Sequence, residues 1–469
     1  MVFSSITFLF YFLPIFFGIY FLTPYKNLTL LLGSVVFYAW GEPRFVPLLL
    51  ASATLNYAFG AIIFRAQGRM QWRLLVAGVA LNLLVLVYFK YTGFFLSVVN
   101  DILGPYRSPL PAPEILLPLG ISFWTFQGIS YLVDVYRGVI PAQGSFVNFA
   151  MYKAMFPQLI AGPIVRYQHV AREIGSRHIS NADVVSGLSQ FLVGLGQKVL
   201  ISNSVAISAD RIFGLETSML SPSLAWWGIL AYSIQIFYDF AGYSNMAIGL
   251  GRMLGFQYPI NFAQPYSSAS ITEFWRRWHI SLSSWFRDYL YIPMGGSRVG
   301  PWRVYFNLSL VFLLCGLWHG AAWTFVVWGV WHGFLLVIER AGLSQLLARA
   351  PAIVARSYTL LAVMIGWVFF RADSVPHPAH YLGAMFGGGS GGEAVPWQMY
   401  VPNTALVGLA AGTALALFRR EQLPAFVQTR IVGNSWFNTL AIPALALVFV
   451  VSVASLAAGT YNPFIYFRF

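Results

Sequence analysis

Residues 304–338 read VYFNLSLVFLLCGLWHGAAWTFVVWGVWHGFLLVI and contain no aspartate, glutamate, lysine or arginine. One helical crossing of a bilayer needs about 20 predominantly apolar residues, so this stretch approaches the length of two crossings. Gly320 near its middle favours a break in the helix. We therefore predict two membrane spans over 303–340, interrupted near Gly320.

The composition of the whole chain agrees with a membrane environment. Of its 469 residues, 58% are hydrophobic and only 9% are charged, and the mean hydropathy is +0.67. A soluble protein of this length carries roughly a quarter of its residues as charged side chains. The composition thus excludes a soluble globular, disordered or fibrous protein, and the single cysteine excludes an internal disulfide.

Other apolar stretches recur along the chain. Those at 28–41, 115–135 and 145–165 are short or interrupted by prolines, and lipid tolerates irregular segments only where protein surrounds them. We predict an all-α polytopic integral membrane protein with about eleven transmembrane helices, formed by a single membrane-embedded domain over 1–469, and a glycine-rich loop at 383–397. Besides 303–340, the predicted spans are 2–22, 28–41, 45–64, 73–99, 115–135, 145–165, 184–208, 222–253, 353–371, 400–418 and 436–458.

The basic residues predict the orientation of the chain. Its 28 lysines and arginines exceed its 15 aspartates and glutamates by 13, and lysines and arginines collect in short cytoplasmic loops. The arginine-rich loops 65–73, 166–177 and 276–303 should then be cytoplasmic and residue 1 should lie outside. Since no basic module is longer than a loop, we expect anionic lipid and not nucleic acid as the partner of these charges.

The segment 273–291, EFWRRWHISLSSWFRDYLY, differs from the spans. On a helical wheel its aromatic residues lie on one side and its arginines on the other, which predicts one amphipathic helix in the plane of the membrane interface. Glu273 precedes Arg277 by four residues, the favourable order for an ion pair. The apolar side contains Phe274, Trp275, Trp278, Leu282, Trp285, Phe286, Tyr289 and Leu290.

His319 is the most informative of the seven histidines. An ionisable side chain inside a membrane span is costly and marks a functional site by default. Desolvation keeps an imidazole neutral, as a general base requires. Gly316 and Gly320 could leave room for a substrate beside the backbone. The alternative is a buried histidine bonded to a backbone carbonyl.

Two other histidines accompany it. His279 lies within the apolar arc of the amphipathic segment, so it either points into protein or snorkels at the interface. His332 repeats the Trp-His-Gly sequence thirteen residues after His319, which places the two on different faces of a continuous helix. They approach each other only if the chain breaks at Gly320, and we interpret His332 as structural.

The sequence leaves open the roles of two further residues, Cys315 and Asp239. Cys315 lies one turn before His319, so it is either inert packing or a nucleophile paired with that histidine. Asp239 either orients a histidine or pairs with a lysine or arginine. No histidine, cysteine and carboxylate combination has the spacing of a metal site, and we expect none.

The chain resembles the membrane-bound O-acyltransferase superfamily, and within it the bacterial alginate O-acetylation branch. The resemblance extends from the opening MVFSSITFLFYFLP to about residue 373. Its motifs are Phe156-Pro157-Gln158 through Gly162-Pro163, YDFAGYSNMAIGLG at 238–251, EFWRRWHISLSSWFRDYLYIPMGGS at 273–297 and LWHG at 317–320.

The resemblance implies a helical membrane fold around a central tunnel. His319 matches the histidine taken as catalytic in this superfamily, and His279 matches its second conserved position. It also implies a cytoplasmic acyl donor such as acetyl-CoA or an acyl carrier, no permanently bound cofactor, a periplasmic O-acetyltransferase partner and a bacterial inner membrane location. The acceptor would be an exported polysaccharide.

Physical chemistry supports the same function. A polysaccharide modified after export cannot meet a cytoplasmic thioester, so a membrane protein must pass the acyl group across while excluding water. Arg276, Arg277 and Arg287 could attract the phosphates of the donor or, alternatively, anchor the chain to anionic lipid. Rival hypotheses are a non-catalytic transporter, a scaffold of an export complex, and D-alanyl transfer to teichoic acid.

Overall fold

The structure, a computed structural model, describes residues 1–104, 108–111, 113–388, 396–418, 435–459 and 461–465. Within these ranges the chain is helical and has no strand. The helices are α1 Leu13–Leu22, α2 Lys26–Gly41, α3 Val46–Arg65, α4 Gly68–Leu103, α5 Ile121–Tyr136, α6 Phe146–Ala154, α7 Phe156–Leu159, α8 Tyr167–Gly175, α9 Asn181–Gly196, α10 Asn203–Phe213, α11 Pro222–Met253, α12 Ile271–Arg277, α13 Ile280–Phe286, α14 Pro301–His319, α15 Trp323–Ile338, α16 Ser344–Arg349, α17 Ala352–Arg371, α18 Pro376–Met385, α19 Asn403–Leu417 and α20 Ser435–Ala457.

Seven helical stretches within the described residues are long and apolar enough to cross a membrane. Two shorter apolar helices, Phe8–Leu22 and Asn403–Leu417, add to them. The polytopic all-α fold is thus confirmed. Of the predicted glycine-rich loop 383–397, residues 389–395 lie outside the described residues, and its first three residues belong to α18. The seven are Pro43–Arg65, Gly68–Leu103, Asn181–Phe213, Pro301–His319, Trp323–Arg349, Ala352–Arg371 and Leu440–Ala457.

The chain divides into two compact units, and the single domain over 1–469 stays a prediction. The first unit contains Met1–Gly187, Leu250–Pro259 and Gly320–Ala322. The predicted span 145–165 is broken there into α6 and α7, followed by irregular chain up to Arg166. Residues 149–167 are buried throughout, so protein surrounds this irregular backbone, as we expected of a proline-interrupted segment.

The second unit contains Leu188–Gly249, Ile260–His319 and Trp323–Phe469. The predicted break near Gly320 is confirmed, because α14 ends at His319 and α15 begins at Trp323. A Cβ on Gly316 would collide with the carbonyl oxygen of Phe325 on α15. Our expectation that Gly316 leaves room for a substrate is therefore wrong, because the backbone of the neighbouring helix fills that space.

The prediction of one continuous helix over 273–291 is also wrong. The helix α12 ends at Arg277, and His279 has φ 44°, ψ 55° before α13 begins. The left-handed region interrupts a right-handed helix and is uncommon for a residue other than glycine. The segment still has one apolar and one basic side, because Arg276 and Arg287 are exposed while five of its aromatic residues are buried. The five are Phe274, Trp275, Trp278, Trp285 and Phe286.

Candidate active site

His319 is the last residue of α14, and aromatic rings surround it. Its side chain is buried, with ring centroids of Trp318, Trp328 and Phe370 at 4.9, 5.1 and 5.2 Å, all in edge-to-face geometry. Such packing fixes the orientation of the imidazole and keeps bulk water away from it. The catalytic residue predicted from the sequence thus lies in a buried setting enclosed by aromatic rings.

A small cavity adjoins the His319 ring. It has about 10 Å³ of free space, close to the minimum that a single water molecule requires. Its wall contains Ile236, Phe240, Trp278, His319, Trp328, Trp367, Phe370 and Ile465. Because His319 is at the carboxyl end of a helix, a positive charge that forms on its ring is stabilised by the helix dipole. This position suits a side chain that takes up a proton transiently.

His279 lies in the break between α12 and α13, and the structure decides between its two sequence interpretations. Its side chain is 0% exposed, so it points into protein and does not snorkel. Its Nδ1 lies 3.1 Å from Oδ1 of Asn261. The backbone N–H of Ile280 donates to the carbonyl oxygen of Asn261 at 3.0 Å, which holds the same two segments together.

The contacts of Asn261 determine the tautomer of His279. The Nδ2 of Asn261 donates to Oγ of Ser244 at 3.0 Å, and its Oδ1 accepts from Oγ of Ser281 at 2.8 Å. Since that oxygen is an acceptor, Nδ1 of His279 must carry the proton and donate it. The Nε2 then has a free lone pair, and among the described residues it has no hydrogen-bond partner.

The two predicted histidines belong to one aromatic cluster. The Trp318 ring lies 4.9 Å from the His319 ring and 6.0 Å from the His279 ring. Phe240 lies edge-on to His279 at 4.6 Å and also lines the His319 cavity. The fold therefore brings together two residues that are 40 positions apart in the chain. His279 lies outside the candidate spans, and burial lowers the pKa of its imidazole, which keeps it neutral.

His332 supports the same cluster from α15. Its Nδ1 accepts a hydrogen bond from Nε1 of Trp275 at 3.3 Å. Its ring lies 5.1 Å from Trp328, which is also 5.1 Å from His319. The break near Gly320 thus places both histidines against one tryptophan. This arrangement favours the structural interpretation of His332, which stays a prediction.

A second cavity lies beside α12, α13 and α14. Its volume is about 410 Å³, and Arg276 and Arg287 lie at its wall together with Ser283, Ser284 and Cys315. Cys315 is buried one helical turn before His319. We call this space the arginine cavity. It joins exposed guanidinium groups to the neighbourhood of the candidate catalytic residue.

Arg277 does not line this cavity. Its Nε pairs with Oε1 of Glu273 at 2.9 Å, which confirms the predicted ion pair, and its Nη1 donates to the carbonyl oxygen of Ala263 at 3.0 Å. The two adjacent arginines that the sequence nominated for donor binding are therefore in different environments. Donor binding by either one stays a prediction.

The structure also resolves the partner of Asp239. It pairs with Lys198 and not with a histidine, and both side chains are almost fully buried. Sequence reasoning overlooked Lys198, although the rule that singled out Asp239 applies equally to a lysine inside the predicted span 184–208. Asn261 was overlooked as well, because nothing in its local sequence distinguishes it from a loop residue.

Glu339 is a further polar residue that sequence reasoning missed. It is buried at the end of α15, where its carboxylate accepts from the backbone N–H groups of Ile271 and Thr272 at 2.6 and 2.9 Å. These are orphan donors of the first turn of α12. Glu339 therefore anchors the helix that leads to His279. Among the described residues, no cluster of three or more His, Cys, Asp or Glu could hold a metal ion.

Several helices are suited to crossing a membrane, and two buried histidines lie in one aromatic cluster. These features together are typical of an enzyme embedded in the membrane. Residues 139–370 match the membrane-bound O-acyltransferase family. The chain is 42% identical over its full length to the whole of a probable alginate O-acetylase AlgI of Pseudomonas putida, and 41% identical over the full length of both chains to that of Pseudomonas aeruginosa. It is 38% identical to a peptidoglycan O-acetyltransferase of Helicobacter pylori, over 82% of this chain and 80% of that protein.

The chain belongs to the membrane-bound O-acyltransferase family. It is a multi-pass membrane O-acyltransferase, as its resemblance indicated. A more distant relative, the teichoic acid D-alanyltransferase of Bacillus subtilis, is 31% identical over 49% of this chain and 60% of its own length.

Proposed function

We propose that this enzyme takes an acetyl group from a cytoplasmic thioester, such as acetyl-CoA, and passes it across the inner membrane for O-acetylation of an exported polysaccharide such as alginate. The observation that carries the proposal is the aromatic cluster that holds His319 and His279, with the arginine cavity reaching Cys315 one turn away. The full-length similarity to probable alginate O-acetylases supports the acceptor class.

His319 is the general base of the proposed reaction. It removes the proton of an acceptor hydroxyl, and the oxygen attacks the carbonyl carbon of the thioester. The carbon–sulfur bond breaks, and the thiolate takes the proton from the imidazolium. The products are the acyl ester and the free thiol. His279, with a free lone pair on Nε2, helps to orient the reacting groups by accepting a hydrogen bond from a bridging water.

The donor binds in the arginine cavity in this proposal. Guanidinium groups recognise phosphates well, and Arg276 and Arg287 are exposed at the cavity wall. The interior of the cavity is apolar and suits the extended thiol arm of such a donor. Cys315 lies at the cavity wall, one helical turn before His319.

The tightness of the site favours a short acyl group. The cavity at His319 offers about 10 Å³ between large aromatic side chains, so even an acetyl group needs part of its wall to open. Acetyl is the shortest common acyl group, and each further methylene would need additional space in a closely packed wall. A long-chain acyl group would therefore require several aromatic residues to move together.

The proposal includes a location and a partner. We place residue 1 in the periplasm and the loops 65–73, 166–177 and 276–303 in the cytoplasm, because arginines concentrate in those loops. A periplasmic polysaccharide O-acetyltransferase is the proposed partner that receives the acetyl group. Both expectations come from the sequence and its resemblance.

Purified protein in lipid vesicles tests the proposed function. Radiolabelled acetyl-CoA and an alginate oligosaccharide are supplied, and both thiol release and label on the sugar or on an added periplasmic acetyltransferase are measured. We expect both signals from the parent protein and neither from His319→Ala. Uptake of label without thiol release would favour a transporter, and release only with a D-alanyl carrier substrate would favour D-alanyl transfer. No turnover of any thioester would overturn the proposal.

A further inference from the structure

A buried ion pair lies in the second unit, outside the residues to which the reaction was assigned. Lys198 and Asp239 form it, and their side chains are 1% and 2% exposed. Lys198 belongs to a π-helical turn, Gln197–Ser202, within a candidate membrane span. Burying two charges in such a place is costly even when they are paired, and charges retained inside a membrane usually have a function. π-Helical turns are likewise frequent at functional sites.

The ion pair binds the backbone of a distant segment, residues 461–465, which we call the docked segment. Lys198 Nζ donates to the carbonyl oxygen of Pro463, and Oδ2 of Asp239 accepts from the backbone N–H of Ile465 at 2.8 Å. Lys198 thus satisfies a backbone carbonyl of the docked segment, and Asp239 satisfies one of its backbone N–H groups. Within an apolar helical unit, such groups need partners from other elements.

Two further polar contacts hold the docked segment. Nδ2 of Asn203 donates to Oδ1 of Asn462 at 3.0 Å, while Oδ1 of Asn203 accepts from Lys198 at 2.9 Å. The hydroxyl of Tyr461 donates to Asp210 at 2.7 Å. Four residues of the segment therefore have a polar contact with α10, α11 or the π-helical turn, namely Tyr461, Asn462, Pro463 and Ile465. Phe464 packs against Tyr243 at 4.8 Å.

The docked segment reaches the candidate active site. Ile465 is buried, and it lines the small cavity beside His319, together with Ile236 and Phe240. Asp239 holds the backbone of Ile465 directly. The ion pair is therefore connected to the His319 cavity through a single residue.

We propose that Lys198 and Asp239 are positioning residues, which dock the 461–465 segment so that Ile465 closes the His319 cavity and restricts it to the shortest acyl groups. The size restriction rests on the proposed function, while the docking does not. Neither charge contacts the reacting atoms. They act by fixing the position of an apolar side chain, which backbone hydrogen bonds to charged groups achieve more strongly than neutral contacts.

Cysteine alkylation tests the docking without an activity assay. Ile465→Cys is introduced, and its rate of reaction with a small membrane-permeant maleimide is measured in membranes, with the parent protein and its buried Cys315 as background. We expect slow alkylation with the ion pair intact. Adding Asp239→Asn should raise the rate about tenfold or more, because the segment opens locally.

Matched variants keep the alkylation test decisive. Asp183→Asn removes the carboxylate of a surface ion pair with Arg252 and should leave the rate unchanged. Lys198→Arg retains the charge and should retain protection. If Asp239→Asn does not fold, Asn203→Ala removes contacts to both Lys198 and Asn462 and should raise the rate by itself. Protection that persists in every folded variant would overturn the docking.

Acyl-chain preference tests the size restriction. Ile465→Ala enlarges the cavity wall, and competing acetyl and propionyl thioesters report the preference. One methylene in an apolar pocket changes selectivity by about 10–200-fold, so the propionyl-to-acetyl ratio should rise about tenfold or more. An unchanged ratio with both rates lowered equally would overturn the restriction. If the parent transfers no acyl group, the proposed function fails, while the alkylation rates still decide the docking.

Discussion

The side-chain oxygen of Asn261 lies 3.1 Å from Nδ1 of His279, and this contact determines which imidazole nitrogen is left with a lone pair. The two residues are 18 positions apart and belong to the same unit. An enzyme that uses histidine must control its tautomer, and a hydrogen bond to one ring nitrogen is the usual means. Asn261 is therefore the natural place to alter the chemistry without removing a histidine.

Replacing Asn261 by Asp should make acyl transfer sensitive to pH. In the parent, burial lowers the pKa of His279, so its ring stays neutral. Protonation of this ring should therefore not reduce the activity of the parent between about pH 8 and about pH 6. A carboxylate at position 261 favours the imidazolium and raises that pKa. The variant should then lose activity as the pH falls. The measurement is the pH profile of the transfer rate for both proteins, and superimposable profiles would contradict the assigned contact.

His319→Ala should abolish most of the activity while the protein still inserts and folds. General-base catalysis contributes about 10²–10⁴-fold, and the substitution removes a costly polar group from an apolar span. Acetyl content of the exported polymer, normalised to folded membrane protein, measures the loss. Near-normal acetylation by this variant would eliminate His319 as the base.

His279→Ala should lose less activity than His319→Ala. Because the two rings both contact Trp318 and are proposed to act on one step, the losses in the double variant should not add. His332→Ala provides the matched comparison, since its hydrogen bond to Trp275 predicts an effect mainly on protein yield. A strictly additive double variant would indicate that His279 and His319 act independently.

The adjacent arginines should separate in their effects. Arg276→Gln should raise the apparent KM for the donor and reduce its dependence on salt, because the guanidinium is exposed at the arginine cavity. Arg277→Gln should mainly lower stability, since it loses contacts to Glu273 and Ala263. Steady-state kinetics over a range of ionic strengths and thermal unfolding of both variants provide the comparison. Identical KM values for Arg276→Gln and the parent would favour lipid anchoring instead.

Cys315→Ser should cost little stability and keep acyl transfer within a few-fold, because a buried cysteine usually serves as packing. Cys315 lines the arginine cavity one helical turn before His319, so the substitution tests whether its thiol takes part in acyl transfer. Acyl transfer and recovery of folded protein are both measured. A folded protein without activity would instead indicate an acyl-cysteine intermediate.

Labelling from outside the cell tests the proposed orientation. A cysteine introduced at position 70, in the first turn of α4 and within the arginine-rich segment 65–73, should resist a membrane-impermeant thiol reagent in intact cells and react after the membrane is opened. A cysteine at position 1 should react in intact cells once the outer membrane is permeable. Labelling of position 70 in intact cells would reverse the orientation.

Hydropathy alone was sufficient for much of the fold. The apolar stretches, the break near Gly320 and the buried state of the segment around Pro157 all follow from the cost of exposing backbone and charge to lipid. The same cost singled out His319 and Asp239. The cost of a charge in lipid applies equally to Lys198, which lies in the predicted span 184–208 and is the partner of Asp239.

Periodicity failed where the backbone changed its conformation. A helical wheel assumes one helix, and the left-handed backbone of His279 divides 273–291 into α12 and α13. The helical wheel still separated the aromatic residues, most of which are buried, from the exposed Arg276 and Arg287. It could not indicate that Arg276 and Arg277 would face different surroundings.

The sequence by itself determined the membrane fold and the family, and it singled out the two histidines as candidates, because solvation by lipid and local motifs are properties of short stretches. Only the tertiary structure decided the partners: Asn261 for His279, Lys198 for Asp239, and Ile465 for the His319 cavity. Each partner comes from a separate part of the chain. Hydrogen bonds and ion pairs require contact within a few ångströms, and in this chain such contact is set by how the helices pack and not by their sequence order.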